Sequence, residues 1–312
     1  MGKIHDILRL IRVKQWYKGI VVFAGLFFGG KIFQPSNYPP ILLGFLVICL
    51  VSSVNYIIND LIDLEKDKHH KEKCLRPIAS GAISKKLSIT LGVFLFFLAF
   101  FLSTFVMNFL VPSTYVLRFN VFVIAVFVTG SLYNFGLKRI AFVDIVTLSV
   151  IYIWRTMAGC YLLNIEFSPW LHLMIFQIAM FLSIGKRKAD KEFCGEDAVK
   201  HKEIYKKYTD EVIRSSQNLI TVSLFMTYSL YCVLGEITGF AGPELSNNRG
   251  FMLFSIPVMM YIIMRFLYLA NTKPHIARSP ERAVTDKPLV IAGLVLAVLI
   301  FIGNYWKIEW FI

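Results

Sequence analysis

The stretch NDLIDLEKDKHHKEKCLRPIASG, Asn59 to Gly81, follows directly on the apolar run Ile41–Ile58. That run has the length of a bilayer-crossing helix, so three aspartates and then a basic cluster stand at a membrane boundary. Asp60, Asp63 and Asp67 are spaced i, i+3 and i+7, one face of a helix, with Asn59 beside Asp63 one turn away. Carboxylates without His or Cys beside them suit a hard ion such as Mg²⁺, which binds through one or two carboxylates plus substrate phosphates. Metal and phosphate are therefore expected to arrive together. Lys73 and Arg76 follow closely enough to add positive charge to the same phosphates. A solvated loop of mixed charge would account for the composition. It would not account for acids at helical spacing, nor for Pro77 and Gly81 punctuating the turn that follows.

The chain has 312 residues, 56% of them hydrophobic, and its apolar runs are too long and too many for a soluble core. It reads as an all-α polytopic membrane protein with nine spans. These are Gly19–Phe33, Ile41–Ile58, Leu87–Phe109, Leu117–Phe135, Ala141–Leu162, Pro169–Ile184, Ser216–Glu236, Phe251–Ala270 and Pro288–Trp306. With the N-terminus inside, 27 of the 33 Lys and Arg residues fall on the inner side. Outside lie Lys31, Arg118, Arg249 and Lys307, while Arg155 and Arg265 sit within spans. That is the asymmetry of the positive-inside rule. It explains the net charge of +13 by topology and by anionic lipid or phosphate partners, not by nucleic acid. No small-residue cleavage site clearly follows Gly19–Phe33, so this run is expected to remain as the first span. Cys49, Cys74, Cys160, Cys194 and Cys232 show no CxxC spacing and read as unpaired thiols. Residues 1–312 are expected to form a single membrane domain, with an interfacial helix at 1–18 and cytoplasmic loops at 59–86 (Asp-rich) and 185–215 (basic). A homo-oligomer stays open, since no residue marks an interface.

Along the chain, Ile4, Ile7, Leu8 and Ile11 recur at helical spacing against Lys3, Arg9, Arg12 and Lys14. This predicts an amphipathic helix at the inner interface, with Trp16 and Tyr17 as headgroup anchors. It either anchors only, or presents Lys14, Gln15 and Lys18 to a cavity to hold a lipid phosphate. Asp144 and Arg155 lie inside a span, where an ionisable group normally faces the bundle interior. Three turns apart, they are expected to reach one polar cavity, Asp144 at its mouth and Arg155 deeper, or else to pair with another span. Lys186 and Arg187, at the end of the sixth span, are expected to reach phosphates from the side opposite the aspartates. Arg265 is expected to snorkel to the inner interface, outside the site.

Asn59-Asp60-x-x-Asp63-x-x-x-Asp67 at the end of a second span resembles the first aspartate-rich motif of the UbiA-type intramembrane prenyltransferase superfamily. Within it, the likeness is greatest to the decaprenyl-phosphate phosphoribosyltransferase branch, and it runs over most of the chain. It is carried by Arg12-x-Lys14-Gln15-Trp16-x-Lys18, by His70-x-x-Lys73-x-x-Arg76-Pro77, by Tyr133 with Leu137-Lys138 and Asp144, by Arg155, by Ser168-Pro169-Trp170, and by Gly185-Lys186-Arg187-x-Ala189-Asp190. Prenyltransferases proper carry a second aspartate-rich motif where this chain has the basic Gly185–Asp190 stretch, which speaks against a prenyl diphosphate donor.

The resemblance implies a nine-helix UbiA-like bundle with a cytoplasm-facing cavity. It also implies Mg²⁺-dependent transfer of phosphoribose from phosphoribosyl pyrophosphate (PRPP) to a polyprenyl phosphate. On this reading Asp60, Asp63 and Asp67 hold the metal, and Lys73, Arg76, Lys138, Lys186 and Arg187 neutralise the pyrophosphate. Asn59 and Tyr133 orient ribose hydroxyls or the carboxylates, and Asp144 and Arg155 join Lys14, Gln15 and Lys18 in binding substrate. Two other readings stand beside it. One is prenyl transfer from a diphosphate to an aromatic or lipid acceptor on the same platform. The other is a secondary transporter using Asp144 and Arg155, which would need inverted repeats that are not evident.

Overall fold

The computed structural model describes residues 2–70, 72–166, 168–194, 204, 207–234 and 249–305, and among these it contains helices and turns but no strand. In chain order the α-helices are α1 (Lys3–Leu10), α2 (Ala24–Phe28), α3 (Tyr38–Ile62), α4 (Leu64–Lys68), α5 (Lys85–Phe101), α6 (Ser113–Phe135) and α7 (Val143–Leu162). They continue with α8 (Pro169–Cys194), α9 (Asp210–Leu234), α10 (Arg249–Met252), α11 (Ser255–Thr272), α12 (Pro274–Arg278) and α13 (Lys287–Tyr305). Among the described residues eight helices are long and apolar enough to cross a membrane. Of the basic loop expected at 185–215, residues 195–203, 205 and 206 lie outside the described residues.

The chain divides into two compact units, residues 1–27 with 31–167, and residues 28–30 with 168–312. In the first, α3 is the central element. Pro39 and Pro40 lie in its first turn, where a missing N–H is tolerated. Every residue from Val47 to Asn55 is buried, the signature of a helix packed on all sides. On α6, Leu117, Val121, Ile124, Val128, Leu132 and Phe135 form an exposed apolar stripe at helical spacing, suited to lipid. Its opposite face meets α3 through small and polar groups. Asn55 Nδ2 donates to the Val126 carbonyl at 3.4 Å, Ser131 Oγ to Asn55 Oδ1 at 3.2 Å, and Asn134 Nδ2 to the Asn55 carbonyl at 2.9 Å. Interhelical bonds of this kind hold helices together where apolar contact alone gives no preference over lipid.

One expectation for the N-terminal segment is corrected, and another takes a different local form. The amphipathic helix does not reach Lys18, because α1 ends at Leu10 and Arg12 is left-handed (φ 53°, ψ 48°). The expected first span, Gly19–Phe33, is not one long α-helix and so is not among the eight, but it runs along α3 from Trp16 beside Ser53, past Phe23 against Phe45, to Lys31, which donates to the Leu163 carbonyl. Its course is a 3₁₀ segment, Val13–Phe23, running into the short α2. The expected span holds Gly19, Gly25, Gly29 and Gly30, weak helix formers, and its path follows its packing. A Cβ on Gly159 of α7 would sit 2.0 Å from the Val22 carbonyl oxygen, and one on Gly25 would sit 2.6 Å from Cys160 Sγ.

In the second unit α8 runs through Gly185 to Cys194, so the expected basic loop begins as helix. Its Lys, Arg, Ala and Glu residues are good helix formers and need no apolar face to continue it. Arg265 does not simply snorkel. Its Nε and Nη2 donate to Asp286 Oδ1 and Oδ2 at 3.1 and 2.8 Å. Asp286 Oδ1 also accepts from the Leu289 N–H at 3.0 Å, capping α13. The Arg265 hydrogen bond, followed by the Leu289 bond, holds the Asp286 carboxyl below its ordinary value. A depressed carboxylate adds stability that is present above its unfolded value of about 3.9 and is lost as pH falls through the folded one. Arg265→Leu should therefore lower the melting temperature at pH 7, and the gap from wild type should close in melts taken at progressively lower pH below about 4.

Candidate active site

Helix α3 delivers Asn59 and Asp60 at its C-terminal end, the chain turns at Asp63 (φ −89°, ψ 4°), and α4 delivers Asp67. Backbone bonds from Asp63 N to the Asn59 carbonyl (2.9 Å) and from Asp67 N to the Asp63 carbonyl (2.8 Å) keep helical spacing across the break. Asp60 and Asp67 are each 3% exposed. The Asp63 side chain is more open, at 25%.

The three carboxylates do not converge as the helical spacing predicts; each is drawn to a cation. Arg76 Nη1 bridges Asp60 Oδ1 at 3.0 Å and Asp67 Oδ2 at 2.5 Å. Arg12 Nη2 donates to the same Asp60 oxygen at 2.5 Å. Lys138 Nζ donates to both Asp63 oxygens, at 2.8 and 2.7 Å, and to Asn59 Oδ1 at 3.1 Å. Asn59 thus steadies the lysine that holds Asp63. Burial pushes the Asp67 carboxyl up from its ordinary value, against the pull of Arg76 and then Lys73, with Asp60 adding to the rise. His70 shapes the turn into this cluster: its Nδ1 accepts from the N–H groups of Glu72 and Lys73 at 3.2 and 3.4 Å.

Among the described residues no three His, Cys, Asp or Glu side chains group closely enough to hold a metal. The donor chemistry nonetheless fits a hard divalent ion at two of the three positions. Asp60 and Asp67 each present an oxygen to one shared nitrogen of Arg76, as two ligands would to one ion, and both are oxygen donors. Asp63, expected as a third ligand, is held apart by Lys138.

A small cavity lies beside this cluster, lined by Gln15, Trp16, Gly19, Cys49, Ser52, Tyr56 and Arg155. Arg155 is 7% exposed; its Nη2 donates to Ser52 Oγ at 3.1 Å and its Nη1 to the Lys18 carbonyl at 3.4 Å. Its Nε is buried without a hydrogen-bond partner, so the guanidinium has capacity to spare for an anion. Gln15 Oε1 accepts from Lys18 Nζ at 3.3 Å. Of the substrate-binding residues expected here, Lys14 is exposed and does not line the cavity. Asp144 is buried at the start of α7 and is not part of the lining, so the expected shared cavity is formed with Arg155 alone. Tyr133 is half-buried near the C-terminal end of α6. In the second unit, Lys186 is exposed and Arg187 buried on α8.

Sequence reasoning missed Arg12 and Tyr56. Arg12 was counted as one of the cations of an interfacial helix, and its guanidinium in fact lies over the Tyr56 ring, 4.7 Å from the centroid. The signal for it was its place two residues before Lys14-Gln15-Trp16. Tyr56 carried a local signal too, since it stands one turn before Asp60 on α3.

A model of the UbiA prenyltransferase family matches residues 19–280. The decaprenyl-phosphate phosphoribosyltransferase of Corynebacterium glutamicum is 27% identical over 302 residues, 96% of this chain and 86% of that protein. The one from Mycobacterium tuberculosis is 26% identical over 300 residues, 93% of this chain and 91% of that protein. Among solved structures, a UbiA homologue from Archaeoglobus fulgidus bound to GPP and Mg²⁺ shares the fold, with a TM-score of 0.66 at 15% identity over 96% of this chain and 98% of that one. With that family match, and eight apolar helices of membrane-spanning length among the described residues, this chain is an integral membrane protein belonging to the UbiA prenyltransferase family.

Proposed function

We propose that this protein transfers 5-phosphoribose from PRPP to a polyprenyl phosphate at the cytoplasmic membrane face, releasing pyrophosphate. Likeness over nearly the full chain to two proteins named decaprenyl-phosphate phosphoribosyltransferase carries the choice of substrates. The Lys and Arg asymmetry of the loops supports a cytoplasmic site.

The chemistry asks for charge and position. A phosphate oxygen of the lipid attacks C1 of the ribose as pyrophosphate leaves from the opposite face. The lipid phosphate is already an anion, so no strong general base is required and the work is orientation and charge stabilisation. Mg²⁺, held by Asp60 and Asp67, would supply neutralisation of the leaving pyrophosphate. Arg76, Lys73 and Lys138 bind its remaining oxygens, and Lys138 is steadied by Asn59 and Asp63. Arg155, with Gln15 and the Lys18 carbonyl beside it, is assigned to an anion such as the lipid phosphate, on the strength of its buried Nε, which has no hydrogen-bond partner. Tyr133 is assigned to ribose hydroxyls, and Lys186 and Arg187 to substrate phosphate, on sequence alone. Removing the charge at either of the last two should raise KM for PRPP.

The deciding experiment supplies purified protein in detergent with Mg²⁺, a polyprenyl phosphate and PRPP labelled in the ribose. Label is expected in butanol-extractable lipid, and EDTA should abolish it. The A. fulgidus homologue's bound GPP gives a second reading, prenyl transfer from a diphosphate to an aromatic or lipid acceptor. No transfer from PRPP, together with consumption of a prenyl diphosphate in the presence of acceptor, would establish that reading instead.

A further inference from the structure

Arg12 has no part in the reaction above, yet it is built into the carboxylate cluster. Its Nη2 meets the Asp60 oxygen that Arg76 already bridges. Its backbone is left-handed, a conformation that non-glycine residues seldom adopt and that surrounding contacts must enforce. The contacts that do so are specific. Ser53 Oγ donates to the Ile11 carbonyl at 2.8 Å, Trp16 Nε1 donates to Ser53 Oγ at 3.2 Å, and the Arg12 guanidinium stacks over Tyr56. One turn back, Arg9 Nη2 donates to the Leu75 carbonyl at 2.7 Å, next to Arg76. The end of α1 is thus tied to both sides of the aspartate segment.

Each carboxylate of this cluster meets a cation: Asp60, Asp63 and Asp67 face Arg12, Arg76 and Lys138, with the charge of Lys73 also acting on Asp67. A free divalent ion approaching such a cluster gains little, because each carboxylate already has a cation against it. A metal–diphosphate complex meets different terms. As the carboxylates turn to the metal, the diphosphate oxygens give the released guanidinium groups new partners, and no buried charge is left uncompensated.

We propose that Arg12, with Arg76, serves as an exchangeable counter-cation that makes divalent-metal binding at Asp60 and Asp67 conditional on a diphosphate. Arg12 is then a residue of the site that selects metal–diphosphate over free metal. The proposal rests on the metal site read above.

Equilibrium dialysis of the full-length protein in detergent tests it, with Mn²⁺ as the probe, with and without inorganic pyrophosphate. Wild type, Arg12→Gln, Arg12→Lys and Arg76→Gln are compared, each checked for a monodisperse, folded state. Wild type should retain Mn²⁺ weakly alone and about tenfold or more tightly with pyrophosphate. Arg12→Gln and Arg76→Gln should each bind Mn²⁺ alone about tenfold more tightly than wild type and gain less from pyrophosphate, while Arg12→Lys stays near wild type. Agreement between the two Gln variants guards against a fold defect in either. Wild type binding Mn²⁺ equally well with and without pyrophosphate overturns the proposal, and so does weaker Mn²⁺ binding in Arg12→Gln. Retention by none of the four proteins, in either condition, overturns the metal site itself.

Discussion

Asp63→Asn is expected to lower phosphoribosyl transfer by at least about 100-fold, the scale of losing a group that sets the charge around a leaving group, while the protein stays folded. Asn keeps the volume of the side chain and removes its charge. The lost partner is Lys138, which donates to both Asp63 oxygens at 2.8 and 2.7 Å. Lys138 would then be free to bind elsewhere, and the placement of one positive charge beside the pyrophosphate would be lost. Because the pair is mostly buried, with Lys138 10% and Asp63 25% exposed, weakening it should also lower stability, by about 1–3 kcal/mol. Transfer of label from PRPP, measured beside a melting curve, separates the two effects. Turnover near wild type would remove Asp63 from the site.

Gly159→Ala is expected to be the most damaging single methyl in the first unit. The added Cβ would lie 2.0 Å from the Val22 carbonyl oxygen and 2.9 Å from its carbonyl carbon. Both are backbone atoms, so no side-chain rotation relieves the clash and the 3₁₀ segment must move. Overpacking of this kind costs typically about 1–3 kcal/mol. The same segment carries Gln15 and Lys18, and the Lys18 carbonyl accepts from Arg155, so substrate affinity should fall together with the melting temperature. Gly293→Ala on α13 meets nothing within 4 Å and serves as the control that leaves the melt unchanged. If the two variants melt alike, the close approach of Val13–Phe23 to α7 is wrong.

Most of the membrane architecture was legible from composition, because a span is a local property: about twenty apolar residues in a row are long enough to cross the bilayer, whatever they pack against. The spacing of the aspartates was legible for the same reason, since i, i+3 and i+7 is set within two turns of helical backbone, which here persists across the break at Asp63. The first expected span differs from the expectation in its local form, where local signals are weakest. A glycine-rich apolar run is compatible with either an α-helix or a 3₁₀ segment, and the choice falls to its neighbours, here Gly159 and Cys160 of α7.

The site shows the same division. The sequence by itself determined which residues bring charge to the membrane boundary and that their donors are hard oxygens. Only the tertiary structure decided how those charges pair. Arg12 reaches Asp60 across 48 residues and Lys138 reaches Asp63 across 75, and no periodicity within a helix encodes either contact. A buried carboxylate takes whichever cation the packing of α1, α3 and the α6–α7 turn places beside it, which is why Asp63 left the trio and Arg12 joined the cluster.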